Sequence, residues 1–162
     1  MNIRLRKKWN PPKSPHNLVQ EQYFGDEWKI LVCCLLLNLT THKQVRKVLP
    51  ILFSKYPCAF SMGNADEETL REIIQSLGLV NKRSKTLIRF SQEYLNKEWK
   101  TAKDLYGCGK YADDAWHIFC VGDWENIAPK DHALNFYYTY LQDLKKKGSF
   151  NGSHTNSFSM VV

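Results

Sequence analysis

The sequence lacks the features that would fix several protein classes. Its five cysteines (Cys33, Cys34, Cys58, Cys108 and Cys120) are odd in number and contain no Cys-x-x-Cys pair. That spacing argues against a disulfide framework, a zinc site and a cysteine-ligated iron–sulfur cluster. The longest apolar run, ILVCCLLLNL at 30–39, is too short to span a bilayer, so no membrane association is expected. The N-terminal MNIRLRKKW is basic but has no apolar core of a secretory leader, and an intracellular setting with reduced thiols is the expectation. Nothing recurs at a fixed period, which excludes a solenoid. No run alternates apolar and polar residues convincingly, so the main signal for β-sheet is missing.

What is present is a basic, aromatic-rich chain of 162 residues, a length that fits one domain. Hydrophobic residues at 43% and aromatics at 13% can build a real core. Lys and Arg outnumber Asp and Glu by 23 to 16, a net charge of +7 that suits a polyanionic partner. Residues 1–16 are basic and hold Pro11, Pro12 and Pro15, which predicts an extended lead-in. A short helix is expected over 17–24, and Asp26 is placed to cap a buried helix over 27–38. The next segment, 42–56, sets Val45, Val48, Leu49, Leu52, Phe53 and Tyr56 on one face, with a kink or break expected at Pro50. Asn64 with Glu67 reads as the capped start of the following helix, and Gly78 as its stop. Further helices are expected over 81–95, from Tyr111 onward, and over 131–147. The fold class is therefore all-α. Residues 1–8 read as a basic lead-in, 9–147 as the domain, and the Ser/Asn-rich 148–162 as a disordered tail.

One stretch raises a chemical question. In LYGCGKYADDAW (105–116), Gly107 and Gly109 precede a helix that begins at Lys110 and Tyr111. A nucleotide-binding loop would need a strand before the glycines, and TAKDLY is not one; no third glycine or Lys-Ser/Thr follows. Helix, tight glycine hairpin, helix remains. Such glycines can permit positive φ and let hairpin amides reach a phosphate oxygen, with Lys110 adding a point charge. They can equally just turn a corner between helices. Asp131, just ahead of the last helix, can be an N-cap, or an ionised acid held by the helix dipole and free amides.

The order of these elements carries further. KWNPPKSPHNLVQE, LLLNLTT, SLGLVNKRSKT, FSQEYL, LYGCGKYADDAWHIFC and DHALN follow one another in this chain. In that order they resemble the helix-hairpin-helix DNA glycosylases, and within them the glycosylase domain of the methyl-CpG-binding-domain thymine/uracil glycosylases. The resemblance covers roughly residues 8–141. It implies a two-lobed fold with a DNA-binding cleft. It also implies a function in base excision repair, in the nucleus, on double-stranded DNA carrying a G:T or G:U mismatch, including deaminated CpG sites. A monomer is expected.

The resemblance places the catalytic aspartate at Asp131. A carboxylate there can stabilise the oxocarbenium-like sugar that forms as an N-glycosidic bond breaks, and can orient the attacking water. At the hairpin position where bifunctional relatives use a lysine to form a Schiff base, this chain has Tyr111, whose hydroxyl cannot form an imine. Monofunctional base release, leaving an abasic site, follows as the expectation. Gln20 and Tyr111 fall in the pocket for the flipped pyrimidine, although Gln20 alone reads as an exposed helix residue. Leu79 falls at the wedge beside the orphaned guanine, although it could also be a core leucine. Leu39 stands where an Arg often fills the gap left by the base. His42 stands where Gly is common, and Ala133 where some relatives carry Lys. Two cations are thus missing near the lesion, which keeps open a second reading, a helix-hairpin-helix DNA-binding module with weakened catalysis. An unrelated helical interaction protein is a third. Neither an iron–sulfur cluster nor any other cofactor is expected, though a monovalent cation could sit at the hairpin. His132 beside Asp131 lacks partner ligands for a metal. Tyr137, Tyr138, Tyr140 and Leu141 are expected in helix packing, Lys145–Lys147 at a solvated helix end, and residues 81–85 (NKRSK) against phosphate.

Overall fold

The computed structural model describes residues 4–148 and 158–161. Among the described residues, α1 (Glu27–Leu37), α2 (His42–Lys55), α3 (Ala59–Gly63), α4 (Glu67–Ile73) and α5 (Val80–Asn96) follow one another through short connections, and longer ones lead to α6 (Lys110–Trp116) and α7 (His132–Lys146). None is long and apolar enough to cross a membrane.

The elements start where local chemistry satisfies their first amides. Asp26 accepts from Lys29 N at 3.0 Å to open α1. At α2, Thr41 Oγ1 accepts from Gln44 N at 3.2 Å while Gln44 Oε1 accepts from Thr41 N at 3.0 Å, a reciprocal cap. The start of α4 differs from expectation. Asp66, not Asn64, is the cap and accepts from Thr69 N, while Asn64 donates back to Phe60 O at the end of α3. Helix α2 also runs through Pro50 rather than breaking there. Pro50 is exposed, so its ring lies on the solvent face of α2 rather than in the core.

Helix α1 is the spine. Trp28, Ile30, Leu31, Val32, Cys33, Cys34 and Leu36 are all buried, so it is apolar around most of its circumference. It packs against α2 and α5 on one side and α6 on the other. Two lobes result. In one, α3 and α4 pack on α5 and α2 packs on α4. In the other, α6 continues as a wide π-type turn (His117–Val121), and Phe119 meets α7 edge-on at Tyr137, with centroids 4.8 Å apart. Glu27 joins α1 to both: Oε2 accepts from Trp116 Nε1 at 2.8 Å and Oε1 from Tyr94 OH at 2.9 Å.

The proline-rich lead-in is docked. Trp9 Nε1 donates to Ile118 O, Tyr137 OH to Pro12 O, and Tyr140 OH to Lys13 O. Tyr138 lies edge-on to Trp124, so these tyrosines pack and anchor, as expected of them. Glu21 closes the segment: Oε1 accepts from Ser14 N, and Oε2 from Leu18 N and Ser14 Oγ. Its removal would leave two amides unpaired. Glu21→Ala should cost about 2–4 kcal/mol, seen as a lower urea midpoint at unchanged slope.

Expectation and structure part at the chain ends. Arg4–Lys7 pairs antiparallel with Phe158–Val161, Leu5 opposite Met160. The disordered tail expected over 148–162 therefore does not hold for 158–161, where FSMV carries the aromatic and β-branched residues that favour strands. The rest of that expectation, at 149–157 and 162, lies outside the described residues.

None of the five cysteines is joined in a disulfide to another. Burial pushes the Cys34 and Cys108 thiols up to about 12, and raises Cys33 well above its ordinary value. Hydrogen bonds from the Ser61 amide and hydroxyl lower exposed Cys58. Iodoacetamide at pH 8 should therefore modify Cys58 first and spare Cys33 and Cys34 until the chain unfolds, as mapped by peptide mass. The sign for stability follows. The unfolded chain releases the Cys34 and Cys108 protons near pH 9, the folded one only near 12, so stability falls as pH rises through that window.

Candidate active site

The junction of the two lobes holds a cavity of about 560 Å³. The C-terminal end of α1 (Cys34, Asn38), the residues that follow it (Leu39), the start of α5 (Leu79, Lys82) and the hairpin (Gly107, Tyr111) contribute to its wall. The volume lies within the range of small-molecule sites.

Gln20 and Tyr111, 91 residues apart, meet directly: Gln20 Nε2 donates to Tyr111 OH at 2.8 Å. Gln20 sits in a 3₁₀ turn (Val19–Tyr23) and is fully buried, which rules out the exposed helix residue. Its Nε2 also contacts Cys34 Sγ at 3.6 Å. Its Oε1 is buried without a hydrogen-bond partner among the described residues. A buried amide oxygen left unpaired is costly, and it is the kind of acceptor that a bound N–H donor would satisfy. Burial drives the Tyr111 phenol far above its ordinary pKa, with the Cys34 thiol and the Asp131 charge adding to it. Tyr111 thus stays protonated.

Asp131 is half-buried and caps α7, its Oδ2 accepting from Leu134 N at 2.9 Å. Oδ1 takes no hydrogen bond from the described residues. The cap and a second use of the carboxylate are compatible. Asp131 is not among the residues lining the cavity, but its charge reaches two that are, Tyr111 and Cys34. It also opposes the lowering that burial and Arg46 impose on His42 at the start of α2.

The hairpin glycines differ from one another. Gly107 has φ +81°, and a Cβ there would meet Thr86 Cγ2 at 2.6 Å and Leu35 Cδ2 at 3.2 Å. It both turns left-handed and lets the hairpin lie against α5. Gly109 is extended at φ −102°, so positive φ is not its reason. The space around it is open. Lys110 is not a free point charge: Nζ donates to Asp114 Oδ2 at 2.5 Å and to Ala128 O at 3.0 Å. Glu93 on α5 accepts from Tyr106 N at 3.1 Å and pins the other side of the hairpin.

Leu39 and Leu79 are 82% and 56% exposed at the cavity wall, which rules out the core leucine. Both have left-handed backbone, φ +63° and +49°. Leucine rarely adopts it, and it turns the two side chains outward. Within residues 81–85, expected against phosphate, Arg83 instead points inward, donating to Leu36 O and Asn38 O; Lys82 and Lys85 are exposed. Composition gave no sign of this, because an arginine that caps a distant helix reads like any basic residue. Lys145 pairs with Glu125, and His132 lies edge-on to Phe136. No group of three or more His, Cys, Asp or Glu among the described residues is placed to hold a metal ion.

The chain is similar to known proteins in sequence and in fold. The chain is 45% identical over 134 residues to the Methyl-CpG-binding domain protein 4-like protein of Arabidopsis thaliana, covering 83% of this chain and 30% of that protein. It is 34% identical over 95 residues to a thymine/uracil-DNA glycosylase of Pyrobaculum aerophilum, covering 54% of this chain and 41% of the relative. The chain thus spans less than half the length of either. A thermostable thymine-DNA glycosylase superposes with a TM-score of 0.54 at 24% identity, over 70% of this chain and 65% of the other. Endonuclease III in a non-covalent DNA complex gives 0.53 at 20% identity, over 72% and 64%. The model of HhH-GPD superfamily base excision DNA repair proteins matches residues 32–150, most of the chain, and the protein belongs to that superfamily.

Proposed function

We propose that this chain is a monofunctional DNA glycosylase that releases thymine or uracil opposite guanine, including at deaminated CpG, and leaves an abasic site. The observation that carries the reading is the buried Gln20–Tyr111 pair beside a cavity edged by two outward leucines. A pyrimidine turned out of the duplex presents a donor and acceptors on its Watson–Crick edge. Gln20 Oε1, buried behind Tyr111 with no partner among the described residues, accepts from that donor once the base displaces the covering side chains. Tyr111 stacks or hydrogen-bonds as a neutral phenol. Leu79 enters beside the orphaned guanine and Leu39 occupies the space left by the base. The hairpin amides of Gly107, Gly109 and Lys110 hold the backbone without reading sequence.

The reaction then needs little more than one charge. As the N-glycosidic bond lengthens, positive charge grows on the sugar, and ionised Asp131 stabilises it and orients water. Tyr111 offers no amine at the hairpin position, and the Lys110 ammonium is held by Asp114 and the Ala128 carbonyl, which supports base release without a Schiff base. Strand cleavage is therefore left to a later enzyme.

A labelled duplex with a single G·T or G·U pair tests this. Incubation with the protein, then alkali, should give a strand break at the mismatched pyrimidine, and none before alkali. A break without alkali would show lyase chemistry. Salt-sensitive binding with no break after alkali would instead support the second reading, a DNA-binding module, favoured by Leu39 and Ala133 in place of cations.

A further inference from the structure

The two outward leucines are tied together by one residue. Leu39 directly follows Asn38, whose carbonyl accepts from Arg83 Nη2 at 2.8 Å. Arg83 Nη1 donates to Leu36 O at 3.0 Å, so the guanidinium closes the end of α1. The Arg83 backbone N–H donates to Leu79 O at 2.9 Å. That bond is the first i to i−4 bond of α5, so the Arg83 backbone sits in the turn that Leu79 opens while its side chain reaches the carbonyl just before Leu39. Arg83 is only 7% exposed, and its Nε is buried with no hydrogen-bond partner among the described residues.

A buried guanidinium with one N–H unsatisfied is a poor device for stability alone. It is a good one for geometry. The planar fork reaches two carbonyls at fixed angles, which a lysine ammonium on a flexible stem cannot do. Both leucines sit in left-handed backbone that their Cβ atoms disfavour, so each conformation must be imposed by its surroundings. Buried Arg83 is the hydrogen-bonded link between the two.

We propose that Arg83 is a positioning residue that fixes the spacing of Leu39 and Leu79, so that the two side chains enter a duplex as one unit. The inference rests on the reading of the chain as a protein that extrudes a base. It assigns Arg83 no contact with DNA. Lys82 and Lys85 remain for phosphate.

The test is a stopped-flow measurement on a G·T duplex with 2-aminopurine beside the mismatch, whose fluorescence rises when stacking is lost. Leu39→Ala and Leu79→Ala should each slow opening about tenfold, and the double variant should be little slower than either, because one broken half disables the unit. Arg83→Lys should also slow opening about tenfold, while affinity for undamaged duplex stays within about twofold. In that background the two leucine changes should act independently. Multiplicative losses in the Arg83 protein, about a hundredfold for the pair, would overturn the inference. So would wild-type opening by a folded Arg83→Lys protein. If melting shows that Arg83→Lys is unfolded, the leucine cycle in the Arg83 protein decides alone. Fluorescence reports extrusion and alkali-labile breaks report base release. A rise without breaks would therefore sink the glycosylase reading and leave the Arg83 test intact, whereas no rise with wild-type protein would overturn both.

Discussion

Asp131→Asn should slow single-turnover base release from a G·U duplex by about a thousandfold or more, with duplex affinity changed by less than about threefold. The substitution isolates charge from architecture. Asp131 holds the first turn of α7 through Leu134 N, and an asparagine oxygen accepts that bond equally well. Melting temperature should therefore hardly move. What disappears is the negative charge whose field reaches Tyr111 and Cys34 at the cavity wall. Asp131→Ala provides the contrast, since it loses the same charge and also about 1 kcal/mol of helix capping. Equal activity losses with unequal stabilities would separate the two roles. Retained base release by a folded Asp131→Asn protein would remove Asp131 from the chemistry.

Gly107→Ala should be strongly destabilising. Two penalties coincide. At φ +81° an L side chain is strained, by about 1–2 kcal/mol. The new Cβ would also stand 2.6 Å from Thr86 Cγ2 and 3.2 Å from Leu35 Cδ2, so α5 or the hairpin must shift. A combined loss of about 2–4 kcal/mol is expected, or about 5–15 °C in melting temperature for a chain of this size. The two parts can be told apart. Thr86→Ser removes the clashing methyl, so the double variant should recover the packing part and keep the backbone part. A double-mutant cycle read by thermal melting measures that coupling. If Gly107→Ala melts like the wild type, the close approach of hairpin to α5 is wrong. Gly109→Ala, in extended backbone with open space around it, should be nearly neutral for stability, so any loss of duplex affinity there reads on phosphate approach alone.

Much of the fold was legible because its signals are local. Periodic apolar residues marked α2 and α5, Asp26 marked the start of α1, and Gly78 a helix end. The misses share a cause. Asn64 and Asp66 are both good caps, and which one serves depends on where α3 ends. Pro50 stays within α2 on a face that meets water, which a sequence window cannot show. Of the candidate site, Gly107 and Asp131 could be singled out from turn and capping chemistry. The Gln20–Tyr111 contact could not, because it joins residues 91 apart through the docking of the proline-rich lead-in. Only the resemblance to known glycosylases put those two in one pocket.

The sequence by itself determined the helical class, the order of the helices, the absence of a lysine at the Tyr111 position, and the basic charge that suits a polyanion. Those follow from short-range periodicity, residue chemistry and counting. Tertiary structure alone decided which charges are free and which side chains face out. It turned Arg83 inward, tied Lys110 to Asp114, buried Gln20 and left Leu39 and Leu79 exposed. The physical reason is that burial and pairing depend on what distant segments bring to the same place, and a residue's type sets only its capacity for either.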